Sequence, residues 1–193
     1  MARSIEYNPQ EVLTKTMYLF WEKGYEATSI QDIVAVTGLK PGSLYSAYGS
    51  KEGIFKAVLE MYQNQSLKEV REILEAKGDV LQNVKIFFNF VIVKAISNEV
   101  NEGCLLVKTL LVVSHKDKKV QEQIVKFYQE LAPILKNAIK KLKKRGETSV
   151  NPDMFTKFAF STIYGSHVHY KTFKDKTILE DNVQFLMQGL KQC

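Results

Sequence analysis

Few side chains in this sequence suit chemistry: two cysteines, Cys104 and Cys193, and three histidines, His115, His167 and His169. Cys104 stands in the first turn of an expected helix, Cys104 to Val113, where unsatisfied N–H groups favour a thiolate, and Lys108 lies one turn on. Leu105, Leu106 and Val107 push the other way, since apolar surroundings raise a thiol's pKa, and a free cysteine is commonly a small buried hydrophobe. Two readings stand for it: a sensor thiol, or packing. As a catalytic nucleophile it lacks a nearby histidine, and no Ser-His-Asp, paired-carboxylate or glycine-rich phosphate pattern occurs, so no enzyme is expected. His167 and His169 are two apart and point to different faces of a helix, a poor spacing for a shared metal; neither a metal site nor a cofactor is expected.

Charge is the next candidate for chemistry. The net charge of +6 is compatible with nucleic acid, but from Met1 to Glu60 there are six Lys or Arg against seven Asp or Glu. The excess is densest at Lys136, Lys140, Lys141, Lys143, Lys144 and Arg145, where cations near a helix C-terminus complement the macrodipole and form a solvated face. Charge alone therefore does not assign a partner. The two cysteines do not suggest a disulfide framework and fit a reducing compartment.

The elements that must position these residues are helices. With only four prolines and ten glycines, no alternating apolar runs and no Asn-Gly hairpin signal, the 193 residues predict an all-α chain of about nine helices. Asn8, Pro9 and Glu11 start a helix that buries Val12, Leu13, Met17, Leu19 and Phe20 and ends near Gly24. Ser29 with Asp32 caps a short helix stopped by Gly38, and Pro41 opens a second with Leu44, Tyr45 and Tyr48: helix, turn, helix. Ser50 caps a longer connecting helix running toward Gly78, and the domain boundary is placed inside it, giving 1–62 as the head and 63–193 as the body.

In the body, Asp79 caps a helix that is apolar nearly all round up to Ile96. It is followed by a polar loop, Ser97 to Gly103, the helix Cys104 to Val113, and a long amphipathic helix ending at Gly146, with a kink expected one turn before Pro133. Asn151 and Pro152 open the next helix, and the last runs from Asp175 to Cys193. These two carry small residues (Ala159, Gly165, Ser166) and surplus apolar ones (Phe185, Leu186, Met187, Leu190), which predicts a helix-on-helix homodimer over simple packing on the body. No segment reaches the roughly 18 apolar residues of a membrane span, and the N-terminus is polar, so no membrane is expected as a partner and the cytoplasm is the expected compartment.

The run Ala27-Thr28-Ser29-Ile30-Gln31-Asp32-Ile33, then Gly38, Lys40, Gly42-Ser43-Leu44-Tyr45 and Tyr48-Gly49-Ser50-Lys51-Glu52-Gly53-Ile54-Phe55, closely resembles the signature of the tetracycline-repressor (TetR) family of bacterial regulators. The resemblance covers roughly the first 60 residues; the body is similar in helix count and order. It implies a homodimer whose heads enter successive major grooves of a pseudo-palindromic double-stranded DNA operator. It also implies a body pocket whose small-molecule inducer moves the connecting helix and changes the spacing of the heads. Carried over by position, Thr28 and Ser29 would meet phosphate at a helix N-terminus, Lys40, Ser43, Tyr45 and Ser46 would face the groove, and Tyr48 and Lys51 would contact the backbone. Ser46 and Ala47 stand where the family often has an aromatic and a histidine, so contacts there are thinner and DNA shape is expected to share in specificity.

Asn101-Glu102-Gly103-Cys104-Leu105-Leu106-Val107 also resembles a motif of a TetR subgroup, some of whose members sense electrophiles or oxidants. For a reversible ligand, the expected wall is Phe87, Phe88, Phe90, Val91, Leu106, Leu110, Phe127, Phe158 and Tyr164, with Cys104 nearby and Tyr128, His167 and His169 as polar handles. The expectation is a ligand-responsive transcriptional regulator, a repressor. The alternatives are a helical interaction protein without DNA binding, which the near-neutral head keeps open, and a Cys-dependent enzyme.

Overall fold

Most helices of the protein open where a short polar side chain can take up their free N–H groups. In the structure, a computed structural model that describes residues 7–94, 105–112 and 117–191, Asn8 Oδ1 accepts from the Gln10 N–H at 2.9 Å to start α1 (Pro9–Lys23). Ser29 Oγ accepts from the Asp32 N–H at 3.1 Å, while the Asp32 carboxylate accepts from the Ser29 N–H at 2.8 Å, a reciprocal cap for α2 (Ile30–Thr37). Gly38 then turns the chain with φ of 73°, a conformation that carries no steric penalty without a Cβ, into α3 (Pro41–Tyr48). Ser50 caps α4 (Lys51–Leu74), Asp79 caps α5 (Val80–Phe88), Asp117 caps α7 (Lys118–Lys144) and Asn151 caps α8 (Pro152–Phe173). With α6 (Leu105–Val112) and α9 (Thr177–Lys191), the described residues form the all-α architecture expected: N-terminal helix-turn-helix elements joined to a larger helical body.

One expectation about an individual helix is revised. The helix from Asp79 does not stay α-helical to Ile96: after Phe88 it widens into a π-helix, Asn89–Lys94. A wider turn is concealed in a sequence that is apolar on every side, because no stripe exists to drift. The long helix expected around Pro133 is α7, which runs for 27 residues with Pro133 inside it. Residues 95–104 and 113–116 lie outside the described residues, and with them the expected polar loop, Cys104 and His115.

Apolar packing divides α4 between two cores. Ile54, Phe55, Val58 and Leu59 join Val12, Phe20, Ile33 and Leu44 in the head, whereas Leu67, Val70 and Leu74 join Phe87, Phe88, Leu135, Ile139 and Leu190 in the body. The head core is not made by the head alone: Leu105 and Leu106 of α6 and Val120 and Ile124 of α7 belong to it. At 24 residues and about 1.5 Å per residue, α4 spans ~36 Å and is continuous through both cores. No helix among the described residues is long and apolar enough to cross a membrane.

Candidate nucleic-acid interface and ligand cavity

The face of the head that α3 presents is built by burying one residue of that helix. Leu44 inserts into the head core, which turns Lys40, Tyr45 and Ser46 outward, with Tyr45 50% exposed, and leaves Ser43 and Tyr48 half-buried. This is a surface of hydroxyls, one aromatic face and one cation. The junction between α3 and α4 is tight: a Cβ at Gly53 would overlap the Tyr48 carbonyl oxygen, so only glycine allows α4 to leave α3 at this angle.

Three of the residues placed on DNA by resemblance are engaged inside the head. Thr28 is buried and its hydroxyl donates to the Gly24 carbonyl at 2.7 Å. The Ser29 hydroxyl donates to Asp32 at 2.7 Å while accepting from the Asp32 N–H. Lys51 donates its Nζ–H groups to the carbonyls of Thr28 at 2.7 Å and Glu26 at 3.3 Å, with its ammonium 4.5 Å from the Tyr25 ring centre. Lys23 pairs with Asp32 at 2.7 Å, and this hydrogen bond, followed by those from Ser29, holds the Asp32 carboxyl well below the usual carboxylate range. These contacts tie the turn before α2 to the starts of α2 and α4, and so hold α3 at its angle.

A cavity of about 420 Å³ lies at the joint between head and body. Of the residues expected to wall it, Phe87, Phe90, Val91, Leu106, Phe127, Tyr164 and His167 line it. Phe88 does not: it is fully buried against Phe87 and Phe155. Tyr128 instead packs edge-on to Phe160 at 5.0 Å, and Phe158 is 50% exposed on the far side of α8, 6.5 Å from the ring of Phe185, itself 63% exposed. Cys104 and the Leu110 side chain lie outside the described residues.

The rest of the wall was not anticipated. Met17, Tyr18 and Trp21 of α1 and Tyr62, Gln65, Ser66, Glu69 and Val70 of α4 close the cavity on the head side, and Phe160 and Ile163 of α8 on the other. A signal was available: Tyr62, Ser66 and Glu69 recur at helical spacing on a face of α4 distinct from its core stripe.

His167 joins the cavity to the π-helix. Its Nε2 is 3.0 Å from the Val91 carbonyl, which can only accept, so Nε2 carries the proton, and Nδ1 is buried without a protein partner. Burial pulls its pKa down to about 4, against the opposing pull of that hydrogen bond, so the ring is neutral near pH 7. Polar bonds anchor the walls to the head: Lys108 Nζ donates to the Trp21 carbonyl at 3.0 Å, and Gln123 Nε2 donates to the Lys56 carbonyl and to Gln63 Oε1, both at 3.2 Å. Among the described residues no group of three His, Cys, Asp or Glu could hold a metal.

A head of three short helices turned on Gly38, with Leu44 buried and Tyr45 outward, is the arrangement that the comparisons match: residues 12–58 fit the family described as bacterial regulatory proteins, tetR family. The match to the tetR family is confined in sequence to this head. The curated HTH-type transcriptional repressor ComR of Escherichia coli is 31% identical over 109 residues, and the chain spans 52% of its length. Over the whole chain the tetR fold is shared at lower identity. NemR of E. coli, in its reduced form, superimposes with a TM-score of 0.84 at 18% identity, covering 92% of this chain and 93% of that one. A cysteine mutant of the TetR family regulator CifR, complexed with 26bp double-strand operator DNA, does so with a TM-score of 0.84 at 21% identity, covering 98% and 100%. The match of residues 12–58 to that family thus sits within a fold shared along nearly the whole chain with these structures.

Proposed function

We propose that the protein is a ligand-responsive transcriptional repressor that binds a pseudo-palindromic operator as a homodimer and is released from it by a small molecule. The observation that carries this reading is the position of the cavity. Its wall includes α1 of the head, α4 that leads out of α3, and α8 of the body, so an occupant touches both domains at once. A ligand that prefers one separation of these helices shifts the heads by its difference in affinity for the two arrangements.

In this reading Lys40, Ser43, Tyr45, Ser46 and Tyr48 meet the major groove and its phosphates, the N-terminus of α2 at Thr28 and Ser29 faces phosphate through its backbone, and Lys51 borders the same strand. The exposed rings of Phe158 and Phe185 on α8 and α9 supply an apolar patch that a second copy would cover. CifR bound to operator DNA supports the DNA partner by likeness of fold. Cys104 offers a second route to release, by an electrophile, if its thiol is reactive.

A gel shift with the DNA flanking the protein's own gene, repeated across salt concentrations, tests the reading. Specific binding with a steep salt slope supports the regulator, and absence of binding at low salt refutes it. For the electrophile route, an alkylating agent is expected to release operator from the parent and not from Cys104→Ser; equal release in both removes Cys104 from the mechanism.

A further inference from the structure

The cavity carries charge information that its apolar walls do not. Among the described residues lining it there is no Lys or Arg, although the chain has 27 of them and a net charge of +6. The one acid among those described residues is Glu69 of α4, whose carboxylate accepts from the Gln65 side chain at 3.2 Å. Gln65 and Glu69 also border an open groove outside the cavity, beside Glu60 and Glu72, where Lys68 is the one cation among the described lining residues. Lys68 is itself drawn to Glu72, at 3.9 Å. The groove that shares Gln65 and Glu69 with the cavity is thus acidic on a basic protein.

A charged ligand entering an apolar site loses hydration and needs an opposite charge or several aligned donors. For an anion the described wall offers no positive charge, and the Nε2–H of His167 is already given to Val91. For a cation it offers the π-systems of Trp21, Tyr62, Phe90 and Phe127 and the carboxylate of Glu69. Trp21 and Tyr62 meet edge to face at 5.4 Å and 89°, a rigid aromatic corner made by α1 and α4 together. At about 420 Å³, the space lies toward the lower end of ligand pockets, which run from ~300 to 1,000 Å³.

We propose that the ligand of this cavity is a small lipophilic cation, an amine or quaternary ammonium on an aromatic or alkyl body, with its charge at Glu69 and its body among Trp21, Tyr62, Phe90 and Phe127. This deepens the regulator reading and rests on it, naming the chemical class of the inducer. Occupation joins α1 to α4 through the ligand, so the class of molecule that fits is also the class that changes the set of the head on its connecting helix.

Trp21 is the single tryptophan of the chain and lines the cavity, so its fluorescence reads binding without any DNA. Three probes of matched body are titrated into the full chain: 4-phenylbutyltrimethylammonium, 4-phenylbutanol and 5-phenylpentanoate. The cation is expected to change Trp21 emission and bind at least about tenfold tighter than the alcohol, with the carboxylate weakest. Glu69→Gln is expected to lower the cation's affinity by about tenfold and to leave the alcohol's unchanged. The proposal is overturned if the carboxylate binds as tightly as the cation, if none of the three binds, or if Glu69→Gln leaves the cation-to-alcohol ratio unaltered. Operator gel shifts at saturating probe separate the two ideas. A cation that binds by fluorescence without changing operator affinity sinks the ligand-responsive reading alone, and a carboxylate that binds and releases operator sinks the cation class alone.

Discussion

Replacing Lys51 by Met keeps the length and most of the apolar stem and removes the ammonium, which separates two roles for this lysine. In the structure Nζ–H groups donate to Thr28 O at 2.7 Å and Glu26 O at 3.3 Å and the ammonium lies 4.5 Å from the Tyr25 ring centre. A hydrogen bond from a charged donor contributes about 1.5–3 kcal/mol, but Lys51 is half-buried and water can replace it at the carbonyls, so the lower end applies. The contact over a partly exposed ring adds about 0.5–1 kcal/mol. The expected loss is about 2 kcal/mol, or roughly 4–8 °C in melting temperature for a chain of this size. Urea and thermal unfolding followed by circular dichroism read it directly. Under this role the slope of operator affinity against salt stays that of the parent, because no phosphate contact is lost. Stability within about 0.5 kcal/mol of the parent, together with a salt slope lower by about 1 per head, would refute the internal role and assign Lys51 to phosphate.

Gly53→Ala is expected to cost about 2–3 kcal/mol, since its Cβ meets a backbone carbonyl that cannot swing aside, and a melting temperature like the parent's would contradict the tight α3–α4 junction. His167 makes stability depend on acid. Its folded pKa of about 4 lies below the ordinary 6.5, so the unfolded chain takes up the proton first, and the contribution is complete above about pH 6.5 and declines as pH falls toward 4. Between pH 7.5 and 5 the parent should lose about 2 kcal/mol more than His167→Gln in urea melts, and equal losses would show that the ring is not held neutral by burial. Phe158→Glu combined with Phe185→Glu is expected to leave the fold intact and yield monomers in analytical ultracentrifugation with operator binding lost; a stable dimer would move the interface elsewhere.

Local chemistry made the helix starts legible in the sequence. Asn8, Ser29, Ser50, Asp79 and Asn151 cap within a few residues of themselves, and Gly38 turns the chain by its own conformational freedom. The π-helix was not legible, because Phe88 to Lys94 is apolar enough for either winding. The cavity was half legible. Aromatics on α5, α7 and α8 could be assigned to a common space, but Tyr18, Trp21 and Glu69 were no part of that assignment, and they line it only because α1 and α4 border the same space. Phe158 shows the converse, an aromatic on the same helix as Tyr164 and His167 but on the opposite side of it.

The sequence by itself determined that the chain is helical, where most of its helices begin, and that its first 60 residues carry a helix-turn-helix head, since capping, turns and periodicity act over three or four residues. The tertiary structure alone decided that Lys51 and Thr28 turn into the head, that α6 and α7 complete the head's core, and that the cavity lies between the domains. Those outcomes depend on which surfaces of distant segments exclude water together, as when Lys108 reaches the carbonyl of Trp21 across 87 positions of sequence.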